Sequence, residues 1–194
     1  GLAPGRPYHR PVVTPPAASS RPHPLPPELD AARRLLAYCD ASPSSYHACA
    51  TAAATLGEAG FTELAEDTAW PGGPGAWFVV RGGTLLAWAT GAGHEAHEGF
   101  RIVGAHTDSP NLRVKPQPDV VRAGVRQVGV EAYGGVLLTS WMNRDLGLSG
   151  RVAVRRNGTG AMVRLLRVDR PVCAIPQLAI HLDREVNTAG LLVD

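Results

Sequence analysis

His106-Thr107-Asp108-Ser109-Pro110 joins a metal-binding residue type to a spacing that lets one side chain support another. On an extended chain, side chains two apart face the same way. The Asp108 carboxylate can then accept an N–H from the His106 ring and leave the second ring nitrogen for a divalent cation. Such support fixes the tautomer and raises the basicity of the ligand. The same five residues also fit a histidine bonded to a turn-forming aspartate ahead of proline, and spacing alone leaves both readings open. His94-Glu95-Ala96-His97-Glu98 offers another pair of imidazoles. A zinc-binding helix places its histidines four apart; here they stand three apart among Gly91, Gly93 and Gly99, which reads as a solvated loop, with local metal binding as the lesser alternative. Asn143-Arg144-Asp145 fits either a polar catalytic cluster or a structural ion pair. His181, in the apolar stretch of residues 178–182, fits the pattern of a satisfied core histidine. A Gly-x-Ser-x-Gly elbow and a phosphate-cradling loop are both absent, so serine-hydrolase and nucleotide-hydrolysing chemistries drop out.

The elements that must position these residues follow from periodicity. Residues 100–105, Phe-Arg-Ile-Val-Gly-Ala, lack polar alternation after Arg101, which predicts a strand covered on both faces as in a parallel sheet. His106 then sits at the carboxyl end of that strand, where ligands collect in open α/β sheets. Upstream, Leu29, Ala32, Leu35, Leu36 and Cys39 form the stripe of an amphipathic helix beginning near Glu28. A second helix is capped by Ser44 or Ser45 and exits at Gly60. Residues 77–81 and 84–89 flank Gly82-Gly83 as a tight hairpin, and residues 91–99 form a loop. After Pro116 and Pro118 the chain becomes β-rich with glycine punctuation, and Asn157-Gly158 predicts a hairpin between residues 151–156 and 161–168. The expected organisation is a disordered tail over 1–27, which holds nine of the 17 prolines, an α/β segment over 28–117, and a β-rich segment over 118–194.

An apolar fraction of 44% supplies enough mass for a folded core. The formal charge of +2 arises in the tail, since residues 28–194 carry sixteen basic groups against seventeen acidic ones. A near-neutral body without a clustered basic face argues against nucleic-acid binding. Membrane insertion is not expected either, because no apolar run approaches the roughly 20 residues that span a bilayer, and a secretory signal core is missing. These features predict a soluble, cytoplasmic protein. Cys39, Cys49 and Cys173 lack paired spacing and read as buried thiols. The lack of an initiating methionine, and an ending just after Leu191-Leu192-Val193, read as cuts at both ends.

Together these stretches resemble the aspartyl aminopeptidase family of zinc metallopeptidases. The resemblance rests on five blocks in order: residues 42–47 with 59–64, the run Gly-Phe-Arg-Ile-Val-Gly-Ala-His-Thr-Asp-Ser-Pro-Asn-Leu-Arg-Val-Lys-Pro over 99–116, Val130-Glu131-Ala132-Tyr133-Gly134-Gly135, residues 141–152, and residues 175–182. It implies an α/β fold: part of an αβα metallopeptidase domain carrying an inserted β-rich dimerisation domain, assembled into large homo-oligomers. It also implies that His106 ligates zinc, that Asp108 is the catalytic residue orienting it, and that His181 is either a metal ligand or a substrate-binding residue reaching a neighbouring subunit. The family removes N-terminal residues from peptides, with aspartate or glutamate preferred. Two zinc ions and a glutamate base do the chemistry, paired metals stabilising both attacking and carbonyl oxygens. Arg113 or Lys115 are candidates for reading an acidic side chain. Asn143 departs from the family, which has aspartate before Arg-Asp-Leu. The resemblance places the later carboxylate and histidine ligands beyond residue 194, and catalytic zinc normally needs three protein ligands, so this polypeptide by itself is expected to hydrolyse nothing. Two rivals stand beside this reading: a non-catalytic homologue or assembly fragment, and a related aminopeptidase preferring neutral residues.

Overall fold

The computed structural model describes residues 27–93, 99–155 and 160–190. Residues 1–26, the His94–Glu98 stretch and Asn157-Gly158 lie outside the described residues, and with them the tail, the second histidine pair and the turn of the expected last hairpin.

Helix α1 (Pro27–Ala41) begins on a proline, whose missing N–H costs nothing in a first turn. Helix α2 (Ser45–Glu58) is capped by Ser44, whose extended backbone lets Oγ accept from the His47 N–H. It ends as expected, with Gly60 left-handed at φ 88° and Phe61 N–H returning to the Leu56 carbonyl. Strand β1 (Thr62–Glu63) runs parallel to β2 (Gly75–Arg81), which turns through Gly82-Gly83 into antiparallel β3 (Thr84–Thr90). Ala48 and Cys49 on α2 and Phe78 and Val79 on β2 are the buried apolar residues of this layer. The apolar stripe of α1 forms as a helix but stays uncovered, with Leu35 62% and Leu36 64% exposed. Cys49 is buried as expected, whereas Cys39 stands exposed on that open stripe and Cys173 is half-buried.

Two antiparallel ribbons follow. Strands β4 (Asn111–Arg122) and β5 (Val125–Tyr133) turn through Ala123 and Gly124, both at positive φ (49° and 76°), the backbone of a two-residue hairpin turn whose twist suits the strands. The boundary expected between residues 117 and 118 falls inside β4. There the register shifts between Val114 and Asp119, because Pro116 and Pro118 have no N–H to give the ladder. Strands β6 (Asp145–Arg155) and β7 (Ala161–Ala174) pair as the second ribbon, with Arg155 opposite Ala161. Their register shifts at Gly147, where a Cβ would run into the Val168 carbonyl oxygen. A short helix α3 (Val186–Ala189) closes the described chain.

Residues 100–105 correct the sequence expectation. They belong to no strand, and Ile102 and Val103 are 87% and 97% exposed. Continuous apolar sequence predicts burial on both faces, but a parallel strand forms only between neighbours, and the described residues supply no ladder for this one.

The second ribbon seats on the turn between α1 and α2. Ser149 Oγ donates to the Pro43 carbonyl at 3.0 Å, Arg167 Nη1 donates to the Asp40 carbonyl at 2.6 Å, and the Arg151 guanidinium lies over the Tyr46 ring at 4.4 Å. Beneath this contact His47 is buried, its Nδ1 2.8 Å from Ser44 Oγ. Burial first, and then the positive charge of Arg167, hold its pKa below the ordinary 6.5. Arg167 itself is paired with Asp169 at 2.6 Å. The unfolded chain therefore takes up this proton before the folded one does. Stability is intact above about pH 6.5 and falls as pH drops from there to the lower folded value. Chemical unfolding between about pH 7.5 and pH 5.5 should show a steeper loss for the native chain than for His47→Gln; equal slopes would remove His47 as the cause.

Candidate metal site

The segment carrying His106 is pinned at both ends. Thr107 Oγ1 donates to the Gly83 carbonyl at 2.6 Å, which ties the segment to the tip of the β2–β3 hairpin. On the other side the Asn111 side-chain amide donates to the Ser109 carbonyl at 2.7 Å, and β4 begins.

One residue before the first tie, the His106 ring folds back on Asp108. Nδ1 lies 2.7 Å from the Asp108 main-chain oxygen and 3.3 Å from carboxylate Oδ1. A carbonyl oxygen only accepts, so Nδ1 carries the hydrogen and the neutral ring keeps its lone pair on Nε2. The i, i+2 relation was legible in the sequence. The nearer acceptor, however, is the aspartate's main chain, with the carboxylate second. The His106 side chain is 80% exposed, which leaves Nε2 open to a ligand.

The carboxylate is held from its other side. The Tyr133 hydroxyl donates to Asp108 Oδ2 in a short hydrogen bond, and this donor, ahead of smaller contributions from its own backbone and from His106, keeps the Asp108 carboxyl below the usual carboxylate pKa. The same bond raises the Tyr133 phenol. Arg113 lies over the Tyr133 ring, its Cζ 3.2 Å from the centroid. The sequence reading did not single out Tyr133 as a site residue. The only signal was its place in the Val130–Gly135 block; its approach to Asp108 depends on the β4–β5 register, which sets Tyr133 opposite Asn111.

His181 lies exposed in a turn where the Leu182 and Asp183 amides bond the Ala179 carbonyl, not in the apolar setting its sequence neighbours predict. Among the described residues no three histidine, cysteine, aspartate or glutamate side chains gather as a metal-holding set, so His106, Asp108 and His181 are not brought together. Asn143 is structural here. At φ 52° its amide N–H bonds the Ile175 carbonyl and its Oδ1 accepts from the Gln177 N–H at 3.0 Å, while Arg144 donates to the Ser140 carbonyl at 3.2 Å.

Imidazole nitrogen suits zinc, and a ring whose far nitrogen is already engaged is the usual form of such a ligand. His106 with Asp108 therefore fits one ligand of a zinc site and its support. Three protein ligands are the norm for catalytic zinc, and no three such side chains gather among the described residues.

The family described as aminopeptidase I zinc metalloprotease (M18) matches residues 38–192. A Streptomyces coelicolor protein named "Probable M18 family aminopeptidase 2" is 55% identical over 160 residues, covering 82% of this chain and 36% of that protein. The chain thus spans about a third of the length of its curated relative. The cryo-EM structure of the Ape4 and Nbr1 complex superposes with a TM-score of 0.79 at 37% identity, over 84% of this chain and 32% of that one. The structure of the S. cerevisiae mApe1 dodecamer does so with a TM-score of 0.71 at 31% identity, over 78% and 36%. The described fold is α/β, like these neighbours, and no described helix is long and apolar enough to cross a membrane.

Proposed function

This chain belongs to the aminopeptidase I zinc metalloprotease family, M18, and from that membership we propose that its residues form part of a cytoplasmic zinc aminopeptidase that removes N-terminal aspartate or glutamate from peptides. The observation that carries the reading is the His106 ring, held through Nδ1 with Nε2 presented outward. His106 would be one zinc ligand, and Asp108 the residue that holds its ring in the ligating tautomer. Zinc held there would supply a Lewis acid for the scissile carbonyl.

In this reading Asp108 is ionised at neutral pH, as an ordinary aspartate is, and the Tyr133 donor further favours that form, keeping an acceptor beside Nδ1–H. His181 serves the complete site as a metal ligand or as a substrate contact, the exposed turn leaving its ring accessible. The complete active site would hold two zinc ions, for which no ligand set gathers among the described residues, and the 194-residue chain alone is inactive. The ribbons over 118–194 act as an inserted dimerisation domain within a homo-oligomer, a reading supported by a dodecameric relative. Arg113 is committed to the Tyr133 ring, which leaves Lys115 as the freer of the two cations considered for an acidic substrate side chain.

The protein extended to the length of its curated relatives should release N-terminal aspartate from a peptide faster than N-terminal leucine, lose that activity to a chelator, and regain it with Zn²⁺. Residues 1–194 alone should release neither. Chelator-resistant turnover, or turnover by the 194-residue chain, would overturn this function.

A further inference from the structure

Tyr133 closes β5, and its place is set by backbone rather than by chance. The β4–β5 register puts it opposite Asn111, and the next residue, left-handed Gly134, lies so near Pro110 that a Cβ there would touch the proline ring at 3.6 Å. Strand end and metal segment are therefore in contact on either side of Tyr133. Its phenol does not turn to water. It donates to Asp108 Oδ2, the oxygen that faces away from His106, and Arg113 covers the ring.

A surface carboxylate turns readily about its terminal torsion, which is broad and roughly two-fold. Fixing one oxygen fixes the other, and for Asp108 the other is the one at 3.3 Å from His106 Nδ1. A free Asp108 carboxylate could swing off the ring and leave Nδ1–H with its main-chain acceptor alone. We propose that Tyr133 is a positioning residue for the zinc site, holding Asp108 through its hydroxyl so that the His106 ring stays in the Nδ1–H form and offers Nε2 to the metal. The proposal deepens the zinc-peptidase reading and rests on it.

Tyr133→Phe removes the oxygen that donates to Asp108 and that Arg113 also reaches, while keeping the ring, the Arg113 stacking and the strand register; an Asp108→Ala background separates the Asp108 bond from the Arg113 one. The 194-residue chain, labelled with ¹⁵N, reports the protonated nitrogen of His106 directly, and titration with Zn²⁺ alone reports affinity through the same signals. Tyr133→Phe should shift His106 away from the Nδ1–H form and weaken Zn²⁺ binding about tenfold, the low end of what outer partners of a ligand contribute. Amide exchange along β4 and β5 should be unchanged. In an Asp108→Ala background the same change should have no further effect, because Tyr133 acts through that carboxylate. An unaltered tautomer and affinity in Tyr133→Phe, or an added loss in the double variant, would overturn the proposal. His106→Ala separates it from its premise. If His106→Ala leaves Zn²⁺ binding intact, the zinc reading fails and this proposal with it. If His106→Ala abolishes binding while Tyr133→Phe changes nothing, Tyr133 alone is refuted.

Discussion

His106→Ala, in the protein extended to the length of its relatives, is expected to abolish aminopeptidase turnover and to release zinc. Loss of an outer partner such as Asp108 costs about 10–100-fold in affinity or activity; loss of the ligand itself should exceed that, and Asp108→Ala should fall within it. The stability cost should be small. His106 is 80% exposed, and substitutions at such positions stay within about 0.5 kcal/mol. The combination is diagnostic. Metal content by atomic absorption and turnover on an aspartyl peptide should collapse together while the urea midpoint holds. A variant that keeps its zinc and its turnover removes His106 from the site. A variant that simply unfolds assigns the histidine a structural role, which its exposure contradicts.

The second large effect is expected in the small core. Phe78 is 4% exposed in the middle strand of the three-stranded sheet, where its carbonyl also receives the Leu64 N–H. It pairs with Glu63 on one side and Ala87 on the other. Ala87 is too small to fill the space its ring would leave, and Glu63 is an exposed charged residue whose burial there would itself be costly. Phe78→Ala should therefore cost about 3–5 kcal/mol, against a total that for ordinary domains is only about 5–15 kcal/mol. Since Ala48, Cys49, Phe78 and Val79 are the described buried apolar residues, little else can compensate. Urea unfolding followed by the fluorescence of Trp77 and Trp88, whose rings lie 6.1 Å apart, measures it. A loss below about 1 kcal/mol would mean that the site collapses around the smaller side chain.

Legibility in the sequence tracked the range of the interaction. The Ser44 cap, the left-handed Gly60 exit and the Gly82-Gly83 hairpin are decided within a few residues, and each formed where the local chemistry placed it. The ribbon pairing Arg155 with Ala161 formed where Asn157-Gly158 placed a hairpin, although that pair lies outside the described residues. His106 and Asp108 were legible because two residues on extended chain share a side, although the main-chain acceptor was not foreseen. Tyr133 was hidden because 25 positions separate it from Asp108, and only the strand register brings them together. The β4–β5 turn was missed for a different reason. Ala123 at φ 49° carries none of the Asn-Gly chemistry that announces such turns. Residues 100–105 were misread because an apolar run records how a segment is buried in a finished sheet, and says nothing of whether its neighbours are at hand.

Ile102 and Val103 in open water have a colloidal consequence. β-branched side chains beside backbone that no ladder has claimed make a template on which another chain can add a strand. Arg101 is the one charge between Phe100 and Ala105 that resists such stacking. The stretch next to the candidate metal ligand is thus one of several exposed apolar surfaces, with Leu137 and Leu182 among the others, through which the isolated 194-residue chain can self-associate. Whatever shields that stretch also bears on how long His106 remains reachable before the polypeptide self-associates.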